Sequence, residues 1–205
     1  MAERSLYFYK MVLIIAVAIG LICGLINAKI NGRSYQPVTI KSAWLVIVAY
    51  MPQMIAFNLK FTRAIIPDSW IPAILIFSQS LLLIFVWQNR KLPGGWSLGL
   101  GLLSNFLAIS LNGGMMPLLP ENAAKLLPAN STVILQLGER VGFGKDILLN
   151  KADTRLWFLG DIFMLPDFFR YPLAFSIGDI LISGGAFWLL CRTSSPHLIS
   201  QEVSQ

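Results

Sequence analysis

"SWIPAILIFSQSLLLIFVWQN", residues 69–89, runs for 21 positions without a charged side chain. About 20 apolar residues in a helix cross the hydrocarbon core of a bilayer, and this segment has that length and that composition. Pro72 suits its first helical turn. Two runs before it, MVLIIAVAIGLICGLINA (11–28) and SAWLVIVAYMPQMIAFNL (42–59), are equally free of charge. So is LPGGWSLGLGLLSNFLAISLN (92–112), while the run up to Cys191 has Asp179 as its only charge. Across all 205 residues, 56% are hydrophobic and 13% charged, against roughly 45–50% and 25% in a soluble domain. The sequence therefore reads as an all-α integral membrane protein forming a single membrane domain, 1–205. It has five transmembrane helices, at about 11–28, 42–59, 69–89, 95–112 and 172–191, and one long folded loop, 113–170, before the last.

Several function classes are excluded early. The first run lacks a small residue at −3 from Ala28 and precedes four more spans, so it reads as an uncleaved span rather than a secretory signal. Cys23 and Cys191 both fall within spans, which leaves neither a disulfide framework nor a cysteine metal site. His197 is the one histidine, so a histidine triad, a bis-histidine haem pocket and a His-rich zinc site are absent. No metal and no cofactor is expected. The net charge of +6 comes from basic residues scattered one or two at a time beside the spans, the usual bilayer-flanking pattern. Nucleic acid is not an expected partner, since no basic stripe exists. The expected partners are the lipid bilayer and, by helix–helix contact, another membrane protein.

The short connections after spans one and three, with the C-terminal tail, hold Lys29, Arg33, Lys41, Arg90, Lys91 and Arg192. The N-terminus and the second connection hold Arg4, Lys10, Lys60 and Arg63. The positive-inside rule then places the N-terminus and the long loop outside and the C-terminus in the cytoplasm. The long loop balances six basic residues with six acids. It also carries Leu, Met, Phe and Trp residues that a disordered linker lacks, so it is expected to fold as a lid or to lie on the membrane surface. Helices are expected at 121–127 and at 153–164, the latter with Asp153 or Thr154 as N-cap. Residues 131–135 read as β-prone. "GERVGFGKD", 138–146, reads as a glycine-rich turn that matches no phosphate-loop pattern.

Polar residues inside the spans gather on two faces. In span five Ser176, Asp179 and Ser183 fall at i, i+3 and i+7 on one side of the helix. A helix starting at Pro172 would put Asp179 on the order of 10 Å below its first residue. An ionisable group there faces the bundle interior, as a functional residue or as a hydrogen-bonded acid joining helices. Span four offers a matching stripe of Gly101, Ser104, Asn105, Ala108 and Asn112, which serves either a site or close packing. Gln53 and Gln79 read as packing groups. Gly-Asp recurs at 160–161 and 178–179. Asp161 pairs with Arg155 or Arg170, caps a turn, or folds back towards Asp179. In the last case two neighbouring carboxyls share one proton and form a hydrolytic dyad, one member polarising water and the other protonating the leaving group.

Two resemblances follow from these motifs. Leu111-Asn112-Gly113-Gly114-Met115-Met116-Pro117, Thr154-Arg155-Leu156 with Leu159-Gly160-Asp161, and Phe175-Ser176-Ile177-Gly178-Asp179 together resemble an uncharacterised family of bacterial multi-span membrane proteins. That resemblance implies a bacterial inner-membrane protein and supplies no activity. Phe175-Ser176-Ile177-Gly178-Asp179 is also similar to the segment carrying the second catalytic acid of the lipoprotein signal peptidase. Ser stands there for Asn and Gly for Ala, and that enzyme's Gly-Asn-x-x-Asp-Arg segment is missing. The expectation is a polytopic protein of unknown activity with a polar site between the last two spans and the long loop. Its candidate catalytic residues are Asp161 and Asp179, and its candidate binding residues are Asn105, Asn112, Ser176, Ser183 and Arg155. An intramembrane aspartyl hydrolase, a small transporter and an accessory or assembly subunit are the alternatives.

Overall fold

Five apolar helices stand side by side in the computed structural model, which describes residues 11–63, 65–127, 134–165 and 172–192. They are α1 (Met11–Ile30), α2 (Trp44–Phe57), α4 (Ile71–Gln88), α5 (Gly95–Leu111) and α7 (Ile177–Cys191). A single turn, α3 (Lys60–Arg63), and a 3-10 turn, Asp68–Trp70, join α2 to α4. α7 packs between α1 and α5, and α4 between α5 and α2, giving the row α1–α7–α5–α4–α2. Two helical segments, Val12–Ile30 and Asp68–Gln88, are long and apolar enough to cross a membrane. α2, α5 and α7 are equally apolar in character but run for 14, 17 and 15 residues.

α2, α4, α5 and α7 are shorter than their apolar runs, and at α5 and α7 the ends are used for other purposes. α7 begins five residues after Pro172: Ala174–Phe175 (β4) pairs antiparallel with Phe163–Met164 (β3), and Ser176 then caps the helix. Asp179 consequently lies in the first turn of α7 rather than well inside it. Gly94, with φ +75°, sets the start of α5, where a Cβ would overlap the Gly185 carbonyl of α7. Further along, a Cβ on Gly101 would come within 2.6 Å of the Gly178 carbonyl oxygen. Small residues thus let α5 and α7 cross at backbone distance, and Ser97 reaches across to the Leu181 carbonyl (2.7 Å). Gly20 and Gly24 do the same for α1 against Phe187 and Leu190 of α7.

Chain direction gathers the C-terminal ends of α1, α4 and α7 with the N-terminal ends of α2 and α5 at one end of the row. Two ties fix the connection across it. Tyr35 Oη donates to the Leu190 carbonyl (3.0 Å), and the Asn89 side chain exchanges two hydrogen bonds with the Lys41 backbone (2.8 and 2.9 Å). Trp44, Trp87, Trp96 and Trp188 all stand at this end, each more than half exposed.

The other end carries a cap built from the long loop, and with it the described residues are helical with four short strands rather than purely α. Met116–Leu118 (β1) is buried throughout and pairs in parallel with Asp146–Leu148 (β2), and Pro120–Leu126 forms α6 close to the helix expected there. No helix forms over 153–164: Trp157–Leu159 makes one 3-10 turn and Phe163–Met164 pairs as β3. The expected N-caps serve otherwise, since Thr154 Oγ1 donates to the Asn150 carbonyl (2.7 Å) and Asp153 accepts weakly from Asn150. Residues 131–133 of the β-prone stretch lie outside the described residues. Met115 and Met116 of the cap pack with Ala56, Phe57, Ile71, Leu75, Ala108 and Ile109 in one apolar cluster. Leu118, Ala123, Leu148 and Ala174 form a second within the cap.

Candidate functional site

Asn112-Gly113-Gly114 shows how the cap is fastened. The Asn112 amide donates to the Ala108 and Arg155 carbonyls (2.7 and 2.8 Å) and its oxygen accepts the Arg155 N–H (2.8 Å). This side chain thereby acts as a piece of strand edge for residue 155. Gly113 and Gly114 hold φ +75° and +81°, the left-handed geometry that ends a helix, and the Gly114 N–H closes on the Ile109 carbonyl (2.9 Å). A Cβ on Gly114 would overlap Pro72. Asn112→Ala removes three hydrogen bonds at a residue 5% exposed, and is expected to cost about 2–3 kcal/mol. Faster amide exchange over 154–161, ahead of global unfolding, is the signature to measure, and unchanged exchange there would refute the clamp.

The glycine-rich turn is the tip of a hairpin. Gly138 N–H donates to Leu148, Leu148 N–H to Glu139 and Val141 N–H to Asp146 (2.8–2.9 Å). Arg140 closes the tip through the Gly144 and Phe143 carbonyls (2.7 Å each) and ties it to Asp68 (2.6 Å). The hairpin delivers Lys145. Its Nζ lies 2.5 Å from Asp161 Oδ2 and 3.1 Å from Asp146 Oδ1.

Asp161 is fixed from every side. Its N–H donates to the Pro117 carbonyl (3.1 Å), and Asn122 Nδ2 holds the Asp161 and Ile162 carbonyls (3.1 Å each). Gly160 passes so close to Pro117 that a Cβ would lie 2.8 Å from its oxygen. The residue is 2% exposed, and its Oδ1 is buried without a hydrogen-bond partner. The expected pairing with Arg155 is not made: Arg155 contributes its backbone to Asn112 and stands exposed. Arg170 lies outside the described residues.

Asp179 belongs to a second arrangement. Its Oδ2 accepts the Ser176 N–H (3.0 Å) while Ser176 Oγ accepts the Asp179 N–H (3.1 Å), a capping box at the start of α7. Asn105 of α5 completes it, donating to Asp179 Oδ1 (3.0 Å) and accepting from Ser176 Oγ (2.9 Å). Ser176 is wholly buried, which accounts for the need to satisfy each of its polar atoms. Ser183 lies one turn beyond Asp179, buried and with its hydroxyl unpartnered. Gln53 bonds Ser78 (2.5 Å) between α2 and α4.

The two arrangements are electrostatically in touch, since the Asp179 charge acts on both Lys145 and Asp161. One ammonium thus faces three carboxyls. Burial opposes the Lys145 charge, but the Asp146 and Asp161 carboxylates outweigh it and hold the ammonium well above the usual lysine range. Burial pushes the Asp161 carboxyl well above the usual carboxylate range; Lys145 opposes that, and the charges of Asp146 and Asp179 add to it. Among three acids sharing one cation, the most buried one keeps a proton most readily.

Lys145 and Arg140 were not among the residues singled out from sequence. The available signal was the alternation in VGFGKDIL beside a glycine-rich turn, a hairpin pattern. Among the described residues no group of three or more His, Cys, Asp or Glu could hold a metal ion.

A row of apolar helices with a folded cap enclosing a charged cluster defines a compact helical protein in which two segments are long and apolar enough to cross a membrane. The chain belongs to the family of unknown function DUF5317, whose model matches residues 37–191, from the connection after α1 to the end of α7. No curated protein and no solved structure matches it. The expected kinship with an uncharacterised family is therefore met at the level of the family, while the lipoprotein signal peptidase likeness finds no counterpart among the matches.

Proposed function

We propose that this chain is a five-span bacterial inner-membrane protein whose cap encloses a polar binding centre formed by Lys145, Asp146, Asp161 and Asp179. The observation that carries the centre is Asp161, a carboxyl 2% exposed with one oxygen bonded to Lys145 and the other unpartnered. A buried, incompletely satisfied carboxyl is costly, and such groups concentrate at functional sites. The membrane reading is supported by the four exposed tryptophans at the helix ends of one side, the position of an aromatic belt. α2, α5 and α7 would span with the help of flanking tryptophans and basic residues that thin or anchor the bilayer. The basic end then faces the cytoplasm, and the N-terminus and cap face outside.

The geometry supports a capped binding centre better than an aspartyl dyad. Lys145 already holds Asp161 Oδ2, and Asp179 gives both oxygens to the capping box and Asn105. A ligand bearing a donor group would complete Asp161 Oδ1 once the cap lifts. The test is complementation of a chromosomal deletion under conditions where its loss gives a growth defect. Asp161→Asn is expected to insert at wild-type levels and fail to complement, whereas Arg155→Gln complements. Full complementation by Asp161→Asn would overturn the proposal. If Asp161→Asn and Asp179→Asn both fail and a hydrolytic product disappears with them, the dyad reading takes its place.

A further inference from the structure

We propose that the end of the bundle opposite the cap is a docking surface for the headgroups of anionic phospholipids. This rests on the membrane reading above and goes beyond it by naming the lipid. The connection 29–43, the turn 88–94 and residue 192 supply Lys29, Arg33, Lys41, Arg90, Lys91 and Arg192, and neither segment contains an Asp or Glu. All but Arg90 are exposed. The segments are fastened together, so these cations are held near one another. Asn89 pins Lys41 beside Arg90 and Lys91, and Tyr35 pins the stretch after Arg33 to the end of α7, two residues before Arg192. Gly24 makes room for the Tyr35 ring, where a Cβ would lie 2.7 Å from it.

Cations arranged this way repel one another, and no carboxylate of their own segments relieves the repulsion; an external anion does. The surrounding tryptophans identify which anion. The Arg90 guanidinium lies 4.3 Å from the Trp87 ring centre and that of Arg192 5.7 Å from Trp188. Indole rings favour the headgroup level of a bilayer, and a guanidinium stacked on one is held at the depth of the lipid phosphates, which it binds through charge-assisted hydrogen bonds. A lipid phosphate reaches these groups without leaving the bilayer, which a soluble polyanion cannot do. The opposite end has no such imbalance, since the second connection, the loop 113–170 and Asp179 together carry eight basic and eight acidic residues.

The experiment places the full chain in nanodiscs containing equal phosphatidylglycerol and phosphatidylcholine with identical acyl chains. Lipids retained on extraction are counted by native mass spectrometry. Phosphatidylglycerol is expected to be retained preferentially, the preference falling by about fivefold for each cation removed in the variant Lys29→Gln/Lys41→Gln/Lys91→Gln, and falling with added salt. Equal retention of both lipids by the wild type, or an undiminished preference in the triple variant, overturns the inference. So does heparin that binds the nanodisc-embedded chain and is not displaced by phosphatidylglycerol, which would mark a soluble polyanion as the partner. Failure to enter nanodiscs of phosphatidylcholine alone is a separate outcome and sinks the membrane reading itself.

Discussion

Lys145→Met is expected to destabilise the protein by about 3 kcal/mol at neutral pH, the lower end of the cost of removing one partner from a buried ion pair. The lower end applies because the Lys145 side chain is 19% exposed, whereas that of Asp161 is 2% exposed. Without the ammonium, Asp161 loses the one donor it has, and three acids face each other with no cation between them. The loss depends on pH with a definite sign. Asp161 has a raised folded-state pKa already, and removing Lys145 raises it further. The folded state then binds more protons than the unfolded state above the ordinary aspartate value of about 4, so stability falls as pH rises through the folded-state pKa. Wild type and variant lose this stability in parallel as pH rises from about 4, and the variant falls further only above the folded-state pKa of the wild-type Asp161. The Lys145 shift has the same sign in the wild type: its contribution is complete below the ordinary lysine value near 10.5 and is lost as pH climbs past it. Denaturant titration in detergent across this range is the measurement. The double variant Lys145→Met/Asp161→Leu should recover most of the loss, since replacing both charges by apolar groups is often neutral. A double variant as unstable as Lys145→Met alone would show that the pair is not what was lost.

The helical row was legible because apolar runs of 18 or more residues have few alternatives, and five helices form where five runs stand. Helix ends were harder to read. Pro172 looks like a first-turn residue, yet Ala174–Phe175 pairs with β3 and delays α7 to Ile177, a tertiary contact that no local signal announces. Helical spacing puts Asn105 and Asp179 on facing stripes, and they do meet; the capping box at Ser176 is a different matter, since Ser176 reads from sequence as a position inside the helix and becomes its cap only because α7 starts late. The pairing of Asp161 was not visible. Its partner lies 16 residues earlier on a hairpin whose register is set by β1, itself a three-residue strand. Strand pairing across such distances is specified by packing rather than by sequence period, and it decides which lysine reaches the acid.

Gly178→Ala should be among the most damaging single-methyl changes in the chain, at about 4 kcal/mol from overpacking together with lost buried hydrogen bonds. A Cβ at 178 would overlap the Asn105 side-chain oxygen Oδ1 and lie 2.7 Å from the Gly101 backbone carbonyl oxygen. The second obstacle is backbone and cannot rotate away, so α5 and α7 must separate. Separation stretches Asn105 away from Ser176 and Asp179 and leaves their buried polar atoms unpaired. The better helix propensity of alanine returns only about 1 kcal/mol. Gly184, on the same helix, is the matched control: it is exposed, and a Cβ there meets nothing within 4 Å. Gly184→Ala should therefore be neutral or stabilising by up to about 1 kcal/mol through propensity alone. Unfolding midpoints of the two variants in one detergent decide the matter, because the difference cancels everything they share. Equal midpoints would mean that α5 and α7 do not cross at Gly101 and Gly178, and the Asn105–Asp179 contact, which depends on that crossing, would fall with it.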